Sequence, residues 1–132
     1  MTEERRFLYS AYVLTEDSKQ KLVNWLCNNG VYTYQNRYLR HCTIQFGEDS
    51  LSETWVGELV KLSITHFVFN EMAMAFRVGN AELSCKKDPH ITISTIDGIP
   101  PVYSDTLLSG GLGVEKGVDI EVETIISKIY SK

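Results

Sequence analysis

Apolar and polar residues alternate over several short runs of the chain, which is the spacing of half-buried β-strands. The run from Phe7 to Leu14 comes first, and the run from Val118 to Ile129 comes last, with acidic residues on its wet face. Further strands are predicted at Leu39 to Phe46, Ile64 to Phe69, Met72 to Val78, Ala81 to Cys85 and His90 to Ile96. Strands therefore dominate the predicted secondary structure.

Three shorter segments have the spacing or the capping residues of helices. Thr15 suits an N-cap, the residues after it place an apolar stripe on one side, and Gly30 suits a left-handed stop. A second short helix is expected from Glu53 to about Leu62, and a third over Val102 to Leu108 with Ser104 as its cap. These helices are expected to lie outside the sheet.

The predicted elements follow one another as strand, helix, strands, short helix, hairpin strands, strand, short helix and strand. Asn70-Glu71 is the predicted turn of the hairpin. This order predicts an α+β fold with mostly antiparallel pairing. The chain, residues 1–132, is predicted to be a single domain that is large enough for a hydrophobic core.

Two of the three histidines begin the same pattern of histidine, apolar residue, threonine and isoleucine, in His41-Cys42-Thr43-Ile44 and in His90-Ile91-Thr92-Ile93. We call these the first and the second motif. Residues i and i+2 of a strand share a face, so each motif sets an imidazole beside a hydroxyl while Cys42 or Ile91 points the other way. His66 has no threonine at i+2 and is interpreted as an ordinary strand histidine.

Two motif strands that face each other would bring two imidazoles and two hydroxyls to one cleft. That set suits a phosphodiester, because it supplies two acid/base groups and two neutral donors for the non-bridging oxygens. One neutral histidine would take a proton from water or from a ribose 2′-hydroxyl, and the other, protonated, would give one to the leaving oxygen. The sequence does not assign these two roles.

The repeated pattern resembles the signature of the two-histidine (2H) phosphoesterase superfamily. That superfamily includes RNA-end cyclic phosphodiesterases, the phosphodiesterase domains of fungal and plant tRNA ligases, and phage nucleases that destroy cyclic oligonucleotide signals. The resemblance implies a two-lobed arrangement with short outer helices, in which each lobe gives one motif strand to a central cleft. It also implies a metal-independent phosphodiesterase with His41, Thr43, His90 and Thr92 as its catalytic residues.

The substrate implied by the resemblance is either a terminal 2′,3′-cyclic phosphate, on RNA or on a small nucleotide and opened to a 2′-phosphate, or a 3′–5′ bond in a cyclic oligonucleotide. The net charge of −4 argues against a broad surface for long nucleic acid, so we favour a nucleotide or an RNA terminus. No membrane contact and no obligate protein partner are predicted.

Seven further residues are candidates for binding the substrate. Tyrosines can stack on a base, cations can hold a phosphate, and the resemblance implies that the turn after the second motif lines the cleft. The candidates are Tyr9, Tyr12, Tyr34, Arg40, Lys86, Tyr103 and Ser104. The tyrosine-rich segment Val31 to Tyr38 fits equally a strand and loop that cover the core, since tyrosine is common on half-buried β surface.

The sequence also offers two alternatives to hydrolysis, a metal site and a binding module. A metal site would have to use His41, His66 and His90 with Cys42 or Cys85, but the chain has neither an H-E-x-x-H pattern nor paired cysteines, so no metal and no cofactor are predicted. A binding module without chemistry is the second alternative. Three widely spaced cysteines, no long apolar run and no signal-peptide pattern predict a reduced, cytoplasmic protein.

Overall fold

The structure, a computed structural model, describes residues 5–131. Within this range six of the alternating runs form strands, and a short seventh strand lies at Asn36–Arg37. The elements in chain order are β1 Phe7–Leu14, α1 Glu16–Asn28, β2 Asn36–Arg37, β3 His41–Phe46, a 3₁₀ turn Glu53–Trp55, β4 Leu59–Phe69, β5 Ala73–Val78, β6 His90–Thr95, α2 Tyr103–Ser109 and β7 Val114–Tyr130. Neither helix of this range is long and apolar enough to cross a membrane.

Six of the strands close into a barrel in the order β6, β3, β1, β7, β4, β5, and β5 pairs again with β6. The short strand β2 pairs with the end of β6, and every pairing is antiparallel. The predicted α+β class and antiparallel pairing are therefore confirmed. The predicted two lobes are not seen among residues 5–131, because β7 pairs with β1 on one edge and with β4 on the other and makes the strands one continuous ring.

The inside of the barrel holds the apolar positions of the alternating runs. The most deeply buried large side chains include Tyr12, Ile44, Leu62, Ile64, Phe76, Ile91, Ile93, Val122 and Ile126. Leu22 and Leu26 of α1 pack on the same cluster. Burying one such aliphatic or aromatic side chain stabilises the fold by about 1.5–3 kcal/mol, so this cluster holds the strands and α1 together.

Helix α1 begins and ends where its sequence predicts. The Thr15 side chain accepts a hydrogen bond from the Ser18 amide, and Glu16 and Asp17 add negative charge in the first turn. After the helix, Gly30 has a φ of 67°, which a residue without a side chain adopts at little cost.

Helix α2 packs on the outer face of β4 and β5. Leu107 and Leu108 contact Val68, Ala73 and Ala75, and the two alanines allow the helix to come close to the sheet. The prediction that Ser104 caps this helix is wrong. The N-cap position is Val102, and Ser104 is fully buried one residue inside the helix.

Two other predicted elements are also wrong. The second helix is only the 3₁₀ turn Glu53–Trp55, because Gly57 has a φ of 90° and the alternating run that starts at Leu59 pairs with β7 instead. The predicted strand Ala81 to Cys85 is a turn. Single hydrogen bonds, and not a ladder, join this turn to β3, and one of them is donated by the Ser84 hydroxyl to the Thr43 carbonyl.

Candidate active site

The two motif strands lie side by side and place their polar side chains on one face. Strand β3 pairs with β6 through Cys42 and Ile91, and both of these side chains are completely buried. Side chains alternate along a strand, so the histidine and the threonine of each motif lie on the opposite, outer face. The strands are antiparallel, so His41 lies on the side of Thr92 and Thr43 on the side of His90.

A pocket of about 590 Å³ opens on this outer face. It contains all four histidines and threonines of the motifs together with three of the other candidates, Tyr9, Arg40 and Lys86. Its remaining lining residues are Tyr38, Phe46, Pro101, Val102 and Asp105. The pocket therefore combines imidazoles, hydroxyls, cations and aromatic rings in one place.

A bulge between β2 and β3 brings Tyr38 and Arg40 to the pocket. The chain advances five positions from Arg37 to Cys42, while its partner β6 advances three, from Ser94 to Ile91. The extra residues surround Leu39, which has a φ of 51° and is buried in the core. A left-handed leucine is uncommon, and bulges near functional sites re-aim side chains, as Tyr38 and Arg40 on either side of Leu39 illustrate.

The surroundings of His41 keep its imidazole neutral. Its ring lies against the ring of Tyr9, with centroids 4.9 Å apart. Burial, and next to it the positive charges of Arg40 and His90, lower the pKa of His41 from 6.5 to about 4. A neutral imidazole has a free lone pair, so His41 can accept a proton at neutral pH.

The surroundings of His90 differ. Its Nδ1 lies 2.9 Å from the carbonyl oxygen of Asp88, which can only accept, so Nδ1 carries a proton and Nε2 remains for chemistry. Burial lowers the pKa of His90, and Lys86 lowers it further. The hydrogen bond to Asp88 and the carboxylate of Asp105, 3.7 Å from Nδ1, act in the opposite direction.

The second threonine is oriented by a buried neighbour. The hydroxyls of Thr92 and Ser104 share a hydrogen bond of 3.0 Å, and Ser104 is completely buried in the first turn of α2. Ser104, a predicted binding residue, therefore lies behind the pocket and supports Thr92. A hydroxyl held in this way has less rotational freedom to lose when it donates to a ligand.

Three of the predicted binding tyrosines do not lie in the pocket. Tyr12 points into the core, and its hydroxyl accepts from the Leu83 amide. The hydroxyl of Tyr34 donates to the Asn70 carbonyl, and the hydroxyl of Tyr103 accepts from the Asn70 side chain. Strand alternation explains the position of Tyr12, because an odd number of positions separates it from Tyr9 and the two side chains therefore lie on opposite faces. The other two tyrosines are held by tertiary hydrogen bonds.

Sequence reasoning missed three polar or aromatic residues of the pocket: Tyr38, Phe46 and Asp105. Strict alternation from His41 would place Phe46 on the buried face, yet 73% of it is exposed. The reason is that the pairing of β3 with β1 shifts by one residue between Thr43 and Gln45, which places Phe46 opposite Tyr9. Asp105 comes from α2, and its position depends on the packing of that helix. Tyr38 belongs to the tyrosine-rich segment, and only the bulge decides which of its tyrosines enters the pocket.

The residues of the alternative metal site do not converge. Cys42 lies on the buried face behind His41, and the ring of His66 bonds the neighbouring Thr65 hydroxyl. Within residues 5–131, no three histidine, cysteine, aspartate or glutamate side chains are grouped as metal ligands would be.

The sequence profile of the fungal tRNA ligase phosphodiesterase domain matches residues 25–129, a range that includes both motifs. The chain belongs to this family. The fungal tRNA ligase phosphodiesterase domain is of the 2H phosphoesterase type, so the resemblance noted from the motifs is confirmed. Membership assigns to the chain a cyclic phosphodiesterase function in general terms, that of a hydrolase of phosphodiester bonds that fits RNA processing. No curated protein matches the chain.

Proposed function

We propose that this phosphodiesterase domain opens a 2′,3′-cyclic phosphate, at the end of an RNA or on a small nucleotide, by two-histidine acid/base catalysis without a metal. One observation carries the proposal: the imidazole and the hydroxyl of both motifs line a single pocket on the outer face of β3 and β6. This pocket is the proposed substrate cleft. The family supports the cyclic phosphodiester, and the residues of the pocket support the mechanism.

The different surroundings of the two histidines support different roles. His41, neutral beside Arg40, is the base that takes a proton from the attacking water. The water oxygen bonds to phosphorus, the bond from phosphorus to the 3′-oxygen breaks, and His90 Nε2 gives its proton to that leaving oxygen. The product is a 2′-phosphate with a free 3′-hydroxyl. Afterwards His41 releases its proton to solvent and His90 takes one up.

The remaining polar residues of the pocket suit the phosphate. The hydroxyls of Thr43 and Thr92 can donate to the non-bridging oxygens, where negative charge builds up in the transition state. Arg40 and Lys86 add positive charge at the same place. A donor that is already oriented, as Thr92 is by Ser104, stabilises this charge without first having to rearrange.

The aromatic residues of the pocket suit the nucleobase. The rings of Tyr9 and Phe46 are stacked nearly parallel, with an interplanar angle of 7° and centroids 6.1 Å apart. Phe46 is largely exposed, which leaves its ring accessible to a planar ligand. Stacking of a base on an aromatic ring contributes about 1–3 kcal/mol and tolerates any base, so this platform supports binding without strong sequence preference.

Phosphorus NMR of a nucleoside 2′,3′-cyclic phosphate, with a chelator present, tests the proposal. The ring-opened 2′-phosphate should appear, and His41→Ala or His90→Ala should each lower kcat by about 10²–10⁴-fold, since each removes one acid/base group. His66→Ala is the matched control, because this third histidine lies outside the pocket, and it should leave kcat unchanged.

Other outcomes would contradict the proposal. Full activity of either pocket variant would exclude two-histidine catalysis, and inhibition by the chelator would exclude a metal-free reaction. Binding without turnover would indicate a module without chemistry. Faster cleavage of a 3′–5′ cyclic oligonucleotide than of the cyclic phosphate would overturn the proposed substrate.

A further inference from the structure

A cation and a carboxylate meet behind His90 at the wall of the pocket. One carboxylate oxygen of Asp105 lies 2.7 Å from the Lys86 ammonium, and the other lies 3.7 Å from His90 Nδ1. The His90 side chain is 10% exposed, and those of Lys86 and Asp105 are 28% and 36% exposed. The imidazole is shielded from bulk water, so a charge near it acts on it more strongly than in a surface pair, whereas solvent weakens the partly exposed Lys86–Asp105 pair.

We propose that Asp105 is a positioning residue that holds the catalytic proton on His90, and that Lys86 opposes it. This inference rests on the proposed function, because it assigns to His90 the role of acid. In this role Asp105 contacts the imidazole and not the reacting atoms. It acts through the imidazole, whose protonated form its negative charge stabilises.

The other charged groups around His90 leave this role to Asp105. They are His41 on β3, Arg77 on β5, and Lys86 and Asp88 in the turn before β6. The Asp88 carboxylate is bound at 2.9 Å by Arg77, so its charge is largely compensated there, and its carbonyl is the group that contacts His90. In Asp105, by contrast, one carboxylate oxygen faces the imidazole and the other forms the ion pair with Lys86.

The turn that carries Lys86 is tied to the first motif. The Ser84 hydroxyl accepts from the Lys86 amide and donates to the Thr43 carbonyl on β3. Lys86 therefore stands at a fixed place between the two motifs, within reach of a phosphate in the pocket. A phosphate that binds the Lys86 ammonium partly neutralises its positive charge. The negative charge of Asp105 then stabilises the protonated form of His90 more strongly when substrate is bound.

The test is the pH dependence of kcat/KM together with the NMR titration of the His90 imidazole. Asp105→Asn keeps the shape and removes the charge, so we expect the alkaline limb of the profile to move about one pH unit lower, a tenfold loss on that limb. Lys86→Met should move the same limb higher. The NMR midpoint of His90 should move in the same direction as the limb in each variant.

Two controls keep the result unambiguous. Asp105→Glu keeps the charge and should restore the limb, which a merely structural role of Asp105 would not require. Asp119→Asn makes the same substitution at an exposed position of β7 and should leave the limb in place. Unchanged His90 midpoints in both Asp105→Asn and Lys86→Met would overturn the inference. The titration is read without turnover, so an inactive wild-type protein would instead count against the proposed function.

Discussion

At the level of single residues, His41 and His90 share a local sequence and differ in their neighbours. Arg40 and the Tyr9 ring surround the first imidazole, whereas the Asp88 carbonyl and the Asp105 carboxylate face the second. The repeat itself is symmetric, so the distinction between base and acid comes from tertiary contacts. The role of each histidine is therefore a property of the fold and cannot be derived from the motif.

The lowered pKa of His41 predicts a loss of stability in acid. His41 takes up a proton near pH 6.5 in the unfolded chain but only near pH 4 in the folded protein. Protonation therefore favours the unfolded chain, and the free energy of unfolding keeps its full value above pH 6.5. It falls as the pH drops from 6.5 towards 4, by about 3 kcal/mol at most. His41→Gln does not titrate, so urea unfolding of both proteins at several pH values should show a smaller acid loss for the variant.

Parallel stability curves for the wild type and His41→Gln would contradict this prediction. Carboxylates also titrate in this range, but they are the same in both proteins, so they cancel in the difference. The comparison therefore isolates the imidazole.

At the level of elements, Asn70 joins three parts of the structure. Its side-chain oxygen accepts from the amides of Met72 and Ala73 and closes the turn between β4 and β5. Its side-chain nitrogen donates to the hydroxyl of Tyr103 on α2, and its carbonyl accepts from Tyr34. This turn is thus one of the points at which α2, with Asp105 and Ser104, is attached to the barrel.

Two substitutions of Asn70 should distinguish its hydrogen bonds within the turn from its hydrogen bond to Tyr103. Asn70→Ala loses three hydrogen bonds and should lower the free energy of unfolding by about 2–3 kcal/mol, at about 1 kcal/mol for each bond. Asn70→Asp keeps the acceptor and loses only the donor to Tyr103. It should therefore lower the free energy of unfolding by about 1 kcal/mol, the contribution of that single bond.

Urea denaturation measures both losses. Tyr103→Phe is the matched control, because it removes the acceptor of the hydrogen bond between Asn70 and Tyr103. The double variant Asn70→Asp with Tyr103→Phe should cost little more than either single change. Additive costs would show that the two groups do not interact.

Much of the element pattern could be predicted from local sequence, and much of the pocket could not. Strand β1, the cap of α1 and the shared outer face of the motif residues follow from alternation and capping chemistry, which depend on neighbours in sequence. The left-handed Leu39 and the exposed Phe46 depend on shifts in strand pairing, and the approach of Asp105 depends on how α2 packs. Those features involve residues that are far apart along the chain.

At the level of the whole molecule, the net charge of −4 and the small number of cations in the pocket limit contact with long RNA. Arg40 and Lys86 are the lysine and arginine side chains among the pocket residues. An acidic protein gains little from releasing counterions along a polyanion. The substrate is therefore expected to be recognised at its terminus.

The salt dependence of activity tests this expectation. With two phosphate-binding cations, log kcat/KM on an oligoribonucleotide ending in a 2′,3′-cyclic phosphate should fall against log salt with a slope of about −1.4 or shallower. A nucleoside cyclic phosphate is the control and should give a similar slope. A much steeper slope for the oligoribonucleotide alone would indicate an extended RNA-binding surface.

The place of β7 in the ring has a consequence for biosynthesis. This strand follows all the others in sequence, yet it lies between β1 and β4. A nascent chain that has emerged only as far as α2 leaves one edge of each of those two strands without its partner. We expect the barrel to close only after the ribosome has released β7 from its exit tunnel, so the emerging chain depends until then on chaperones that shield open edges.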